Sequence, residues 1–393
     1  MTQTITENKL IEDQTFTRSR VLLLLCSLLI CIGLVFVISA LADMRNSPSP
    51  TKYIYPAAAL IAMLIASRIP YRVFELPGKV KFISLIQLMI LTSIFLLILA
   101  DFTPLSYGPP AAKRWIRIPL GPLTVMFQPS ELAKWSLIIY QAAFMYLHVK
   151  EGKKLSFFHF CKICFVSGII ILLILMNDFG TAAFLSAMTG LMLIFGGANL
   201  LHIIGSGLLV LPVLAYYVMK EEYRVNRLLS FMFPEKADPD LLYQTNRSLQ
   251  ALGSGGIWGK GIGSGTTKWG HLPVDSSDFI FSVIGEETGL IGTILILMLF
   301  FLFAAVGFIT LFRCRDNFGK LLAAGITCGI TLQAVMNIGV VTSVLPNKGI
   351  PLPLVSSGGT SILTSAAVVG ILAAIAAGRE GKNKQIETNQ AQD

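Results

Sequence analysis

The sequence predicts an all-α, polytopic membrane protein of about ten transmembrane helices, with a long extracytoplasmic loop between helices seven and eight. Three observations predict it. Of 393 residues, 54% are hydrophobic and only 13% charged, against about 25% charged in an ordinary soluble domain. Apolar runs of roughly 18 to 25 residues recur along most of the chain, each long enough to cross about 30 Å of hydrocarbon as a helix. Lysine and arginine collect between the runs and form no single stripe, so the net charge of +9 argues for membrane topology and against nucleic acid.

In order, the runs place helices at about 21–42, 53–69, 82–101, 131–148, 158–177, 180–198, 200–219, 279–312, 321–345 and 353–378. The first run ends in Ala40-Leu41-Ala42, a pattern like a signal-peptidase site. Its length exceeds the roughly 7 to 15 apolar residues of a secretory segment, so it is read as a retained helix. The eighth run is long enough to tilt strongly or to protrude. Arg18, Arg20, Arg68, Arg72, Lys79, Lys81, Lys150, Lys153, Lys154, Arg313, Arg315, Lys320, Arg379, Lys382 and Lys384 all fall on one side. The positive-inside rule makes that side the cytoplasm. The expected organisation is a cytoplasmic tail at 1–20, a transmembrane domain at 21–378 and a second cytoplasmic tail at 379–393. No internal repeat of the inverted-transporter kind is visible.

Cys26, Cys31, Cys161, Cys164, Cys314 and Cys328 lie in apolar runs or inner loops, which implies no disulfide framework. Cys161 and Cys164 form a C-x-x-C without a second pair of ligands, which argues against a metal or redox site. The histidines are His148, His159, His202 and His271, three of them near the inner side. No Ser-His-Asp or Cys-His pattern points to a hydrolase.

Two outer loops remain, about 102–130 and 220–277, and a compact domain rarely keeps loops that long without a use. The first carries Lys113, Arg114 and Arg117 where the positive-inside rule disfavours them. A solvated loop and the capture of an anionic headgroup both fit. After the second, Asp278, Glu286 and Glu287 enter an apolar run, and carboxylates there need protein or water around them. Glu286 lies about 12 Å from Asp278 along a helix and about 80° around it, so the two form no paired-carboxylate site. Glu286 and Glu287 read as structural; Asp278 stands where an aqueous substrate can reach it.

Asp178 and Thr181 mark a tight outer turn, and helix capping and function fit Asp178 equally. Pro129, Ser130 and Glu131 open a helix, with Glu131 three residues before Lys134. That pair accounts for both charges, with a phosphate contact for Lys134 the lesser reading. The glycine-rich stretch from Gly253 to Gly265 fails as a P-loop, because Ser254 stands at the first glycine position and Gly261 where Ser or Thr would bind magnesium. Its glycines read as a tight loop resting on the membrane surface.

Several segments together resemble the SEDS family, the polytopic bacterial glycosyltransferases of shape, elongation, division and sporulation. They are Lys113-Arg114-Trp115-Ile116 with Gln128 to Lys134, Asp178-Phe179-Gly180-Thr181-Ala182, and Tyr223-Arg224 with Arg227. Tyr243-Gln244, Ala251 to Gly256, Asp278-Phe279-Ile280-Phe281, Asn337-Ile338-Gly339, Leu345 to Pro353 and Ser356-Ser357-Gly358-Gly359 follow in the family's order. Ser248 to Gly253 and Asn347-Lys348-Gly349 are closer to the division member than to the elongation member.

The resemblance implies polymerisation of lipid II, an undecaprenyl-diphosphate-linked disaccharide-peptide, at the outer face of the bacterial inner membrane at the division septum. It implies Asp278 as general base and Lys113, Arg114, Lys134, Arg224 and Lys348 as candidates near the diphosphate. Asp178, Thr181, Glu131, Glu286, Ser356, Gly358 and Gly359 are supporting residues. A divalent cation, magnesium or manganese, would share the charge, and a class B penicillin-binding protein and other division proteins are the implied partners. The sequence departs from the family at Val274 and Ser276, where glutamate and histidine are usual, at Ser357 for tyrosine and at Asn177 for proline. These departures put secondary contacts in doubt, with Asp275 a substitute for the lost acid. An elongation-type polymerase of the same family, a lipid II transporter and a noncatalytic scaffold for the transpeptidase are the rival readings.

Overall fold

The computed structural model describes residues 2–41, 50–76, 84–103, 106–107, 114–120, 123–149, 154–236, 239–265 and 277–379. Lys113, His271, Val274, Asp275, Ser276 and the tail beyond Arg379 lie outside the described residues. Among the described residues the chain forms α1 (Thr2–Leu41), α2 (Thr51–Ala66), α3 (Leu85–Phe102), α4 (Pro129–His148), α5 (Phe157–Asn177) and α6 (Phe179–Phe195). It continues with α7 (Leu200–Met219), α8 (Glu222–Met232), α9 (Pro239–Ser254), α10 (Ile280–Arg313), α11 (Asn317–Val341) and α12 (Gly359–Ala376).

Ten of these follow the ten apolar runs. Seven are long and apolar enough to cross a membrane, namely α1 from Thr17, α3, α5, α7, α10, α11 and α12, while α2 and α6 are shorter apolar helices. α4 has 20 residues and carries Glu131 and Lys134 in its first turns. The expected boundaries shift at both ends of the chain. α1 starts at Thr2 because no glycine or proline interrupts it, so the stretch expected as a tail is helical. α12 starts only at Gly359, because Leu354 at φ 64 holds a turn before it.

The two long loops hold regular structure despite having no continuous apolar run. The first forms a small antiparallel sheet of β1 (Ser106–Tyr107), β2 (Trp115–Leu120) and β3 (Leu123–Phe127), with Ile116 opposite Phe127. Thr360 at the start of α12 accepts from Gln128 N at 3.1 Å and donates to Met126 O at 3.3 Å, which fixes the sheet to the helices. The second loop contains α8 and α9, short helices that mix charged and apolar residues.

α11 is the central strut, packed against α4, α6, α10 and α12, and α2 lies along α12. Small residues permit these approaches, as expected where lipid supplies no hydrophobic drive between helices. A Cβ at Gly325 would stand 2.6 Å from Ile138, and one at Gly370 would stand 2.3 Å from Met63 O. α7 buries none of its residues, so its apolar surface suits lipid on every side.

Arg18 lies within electrostatic reach of Arg313, Arg72 pairs with Asp316 at 3.1 Å, and Arg379 donates to Ser67 O at 2.6 Å. These basic residues mark one end of the bundle. Ser39 donates to Glu287 at 2.6 Å, and along α1 Ser39 is about 32 Å from Arg18 at 1.5 Å per residue. That is the thickness of the hydrocarbon layer. Along α11, Asn337 is about 30 Å from Asn317, and Asn337 bonds the backbone of Asp278. Along α10, however, Asp278 and Arg313 are about 52 Å apart. A break at Gly289 (φ 66, ψ −158) takes up the difference. Asp278, Glu286 and Glu287 therefore all stand near the end of the bundle opposite the basic cluster, although an unbroken helix would set Glu286 about 12 Å further along from Asp278.

Candidate active site

The site is assembled at the end of the bundle opposite the basic cluster. Four segments build it: the start of β2, the α5–α6 turn, the short 3-10 turn Ser277–Phe279, and the loop after α11 that runs through Asn347 and Lys348 to Pro353.

The α5–α6 turn is organised by Asp178. As N-cap of α6 it accepts from Thr181 N at 3.0 Å and from Thr181 Oγ1 at 3.0 Å, meeting donors that a helix start leaves unpaired. The same carboxylate also receives Arg114 Nη1 at 3.3 Å, while Arg114 Nε donates to Asn177 O at 3.0 Å. Capping and site-building are thus one arrangement. Asn177, where the SEDS pattern has proline, donates its side-chain amide to Asp101, a bond that proline lacks.

The loop after α11 is pinned from both sides. Asn337 donates to Ile350 O at 2.7 Å and Gln333 donates to Pro351 O at 2.9 Å. From above, Arg227 reaches Asn347 O at 3.5 Å and Asn347 donates to Gln244 at 3.3 Å. Ser356 accepts from Leu352 N at 2.8 Å, closing the next turn, and Gly358 caps α12. Gly359 is forced by packing, since a Cβ there would stand 2.4 Å from the Tyr55 ring. Lys348 Nζ sits 4.8 Å from the centre of the Phe179 ring. Burial lowers its pKa from the usual lysine value, and the Asp178 carboxylate opposes that shift.

Gly349 locates the centre of the site. A Cβ built on it would stand 2.9 Å from Asp278 Oδ2 and 3.8 Å from Arg114 Nη1. The acid and the guanidinium therefore both approach Gly349, each within 4 Å of the place a side chain would start. Asp278 is half-buried and Gly349 exposed, so their meeting point borders the surface. Of the candidates, Asp278, Arg114, Lys348 and Asp178 come together here, and Arg224 lies at the rim, donating to Met176 O at 3.1 Å and Tyr217 O at 3.0 Å.

Two candidates do not join them. Lys134 is 2% exposed and gives its ammonium to Glu131 at 2.7 Å and Gln333 at 2.8 Å, so it reaches no headgroup. Its charge instead supports the loop from beneath through Gln333. Glu286 pairs instead with Lys260 at 2.7 Å. Asn337 and Gln333 carry more of the site than the sequence reading assigned to them. Their signal was present as two amides inside an otherwise apolar helix, which cost free energy unless bonded.

A divalent cation has few ligands available. Among the described residues no group of three His, Cys, Asp or Glu side chains could hold one, and Asp178 is committed to Arg114 and Thr181. The residues present do not form a metal cage, and no step below is routed through a metal.

A family model described as cell cycle protein, FtsW/RodA/SpoVE, matches residues 19–381. The chain belongs to that family. It is 34% identical over 362 residues to a probable peptidoglycan glycosyltransferase FtsW of Geobacter sp. (strain M18), covering 90% of this chain and 95% of the relative. It is 36% identical over 363 residues to the protein of the same name in Geobacter metallireducens, covering 90% and 92%. In fold it resembles a chain of a solved peptidoglycan synthase complex, with a TM-score of 0.71 at 23% identity, covering 92% of this chain and 98% of that one. The crystal structure of Thermus thermophilus RodA gives a TM-score of 0.63 at 22% identity, covering 92% and 97%. Both of these relatives carry the FtsW name.

Proposed function

We propose that Asp278 is the general base with which this chain, a peptidoglycan glycosyltransferase of the division type, polymerises lipid II at the outer face of the inner membrane. The observation that carries the reading is the convergence of Asp278 Oδ2 and Arg114 Nη1 on Gly349, 2.9 Å and 3.8 Å from the position of its missing Cβ.

The reaction joins a sugar hydroxyl to an anomeric carbon and releases a lipid diphosphate. An alcohol is a weak nucleophile until its proton is accepted, and one carboxylate at hydrogen-bond distance does this. Asp278 takes the proton of the acceptor 4-hydroxyl, the oxygen bonds to the anomeric carbon, and the carbon–diphosphate bond breaks on the opposite face, inverting the centre. The diphosphate leaves with its electron pair, so cations must meet the growing charge, while no second carboxylate is needed. Arg114 and Lys348 stand closest to that role, with Arg224 at the rim and Lys113 as its sequence neighbour. Arg114 is already oriented by Asp178 and Asn177 O, so it need not reorganise as charge develops. The polyprenyl tail lies in the membrane while the sugars and peptide stay in water.

The same reading places the basic end of the bundle in the cytoplasm, with both termini, and places the protein at the septum. It assigns a class B penicillin-binding protein as partner, supported by the fold likeness to a chain from a synthase complex. The test is gel analysis of products from purified protein and lipid II in detergent. Glycan strands from wild type and none from Asp278→Asn support the reading; strands of normal yield from Asp278→Asn remove it. Because detergent offers no second leaflet, strand formation there also separates a polymerase from a transporter.

A further inference from the structure

A continuous α10 would join Leu290 N–H to Glu286 O and Ile291 N–H to Glu287 O. The break at Gly289 frees all four groups, and each finds a partner in the glycine-rich segment after α9. Leu290 N donates to Gly256 O at 2.9 Å and Ile291 N to Ile257 O at 3.3 Å. In return, Lys260 N donates to Glu286 O at 3.0 Å and Gly261 N to Glu287 O at 3.0 Å. The backbones touch: a Cβ at Gly255 would stand 2.0 Å from Gly285 O, one at Gly259 2.2 Å from Glu287 O, and one at Gly289 2.4 Å from Gly259 N. Lys260 Nζ adds an ion pair to the buried Glu286 at 2.7 Å. The expectation that this segment simply rests on the membrane surface is therefore incomplete. It is interlocked with α10, while Ile257, Trp258 and Ile262 face outward at 60%, 81% and 63% exposure, at the boundary level where a lipid interface favours tryptophan.

We propose that residues 255–265 form a latch that keeps α10 bent, and that Lys260 is a positioning residue for Asp278. The proposal rests on the assignment of Asp278 as the base. Two states follow from the hydrogen-bond accounting. With the latch engaged, the helix is broken and the stretch from Asp278 to Glu287 lies along the outer boundary. Ser248 ties that stretch down by bonding Ser282 at 2.6 Å and Val341 O at 2.8 Å, and Asp278 rests beside Asn337 and Gly349. With the latch withdrawn, Leu290 and Ile291 regain their own helical acceptors, α10 becomes continuous and Asp278 is drawn from Arg114. Lys260 biases the choice, because Glu286 is 1% exposed and a buried carboxylate that loses a cation partner is strongly disfavoured.

The test is amide hydrogen exchange on the full chain in nanodiscs, resolved to single residues, for wild type, Lys260→Met and Lys260→Met with Glu286→Gln. Withdrawal has its own signature. Positions 260 and 261 should exchange roughly tenfold faster or more in Lys260→Met, while Leu290 and Ile291 stay slow because the healed helix protects them. Adding Glu286→Gln should restore slow exchange at 260 and 261. Unchanged exchange at these positions, or acceleration at all four, overturns the latch. Polymerisation gives the second arm: Lys260→Met should lower kcat roughly tenfold, about 1.4 kcal/mol of barrier, with KM for lipid II within about twofold. Withdrawal seen by exchange with an unchanged kcat would keep the latch and remove Lys260 as a positioning residue, while Asp278→Asn reports separately on the base.

Discussion

Asn337 donates its side-chain amide to the backbone carbonyl of Asp278 at 2.7 Å and, with the same nitrogen, to Ile350 O at 2.7 Å. One buried amide thus ties the aspartate's backbone to the loop that carries Lys348 and Gly349. The acid and the cationic loop hold their spacing because α11 holds both.

Asn337→Leu should therefore damage activity and stability together. Each buried carbonyl left without its donor costs about 1–3 kcal/mol, enough to lower the melting temperature by several degrees. Polymerisation should fall at least roughly tenfold. A normal rate would show that the spacing of Asp278 and Ile350 is not held by Asn337.

Gly349→Ala should separate the two effects. The backbone of Gly349 is outside the left-handed region, so alanine brings no strain, but its methyl would sit 2.9 Å from Asp278 Oδ2. Thermal stability should stay within about 0.5 kcal/mol of wild type, as for unstrained surface changes, while strand synthesis from lipid II should be lost. A fully active Gly349→Ala would mean the reaction does not depend on the close approach of Asp278 to Gly349.

Lys348 should set an alkaline limit. Burial lowers its pKa, with Asp178 opposing, so it loses its proton at lower pH than a solvated lysine does. Contact with diphosphate needs the charged form. KM for lipid II should rise as pH climbs through that lowered pKa, and Lys348→Arg should remove this limb, since arginine stays charged. For folding the sign is opposite: a depressed lysine pKa means the native state binds fewer protons than the unfolded one, so this group's penalty fades as pH rises. A pH-independent KM in wild type would remove Lys348 from diphosphate binding.

Glu131 and Lys134 should behave as a structural couple. With both side chains nearly fully buried, Lys134→Met strands a carboxylate and should cost about 3–5 kcal/mol, whereas Lys134→Met with Glu131→Gln should recover most of it. Equal melting temperatures for the single and double variants would contradict the coupling.

The helices were legible because each lipid-crossing segment announces itself locally through an unbroken apolar run. Asp278 was legible for the same reason, as an acid at the mouth of such a run. What stayed hidden depends on distant partners. The Gly255–Gly285 and Gly259–Gly289 contacts join two segments that no periodicity relates, so the glycines read only as a tight loop on the membrane surface. Gln333 and Asn337 gain meaning from carbonyls of the following loop. Lys134 paired with Glu131 in the sequence, but a phosphate contact stayed open as its lesser reading because its second partner, Gln333, lies on another helix. α8 and α9 are too short and too mixed in polarity to stand out from a solvated loop.

The central claim is that Asp278 accepts the acceptor's proton, and single-turnover kinetics at saturating lipid II, with lipid II binding measured in parallel, test it most directly. Asp278→Asn should bind lipid II within about twofold of wild type and slow glycosidic bond formation by about 10²–10⁴-fold, the range of a positioned general base. Bond formation at the wild-type rate, or a loss accounted for wholly by weakened binding, would contradict it.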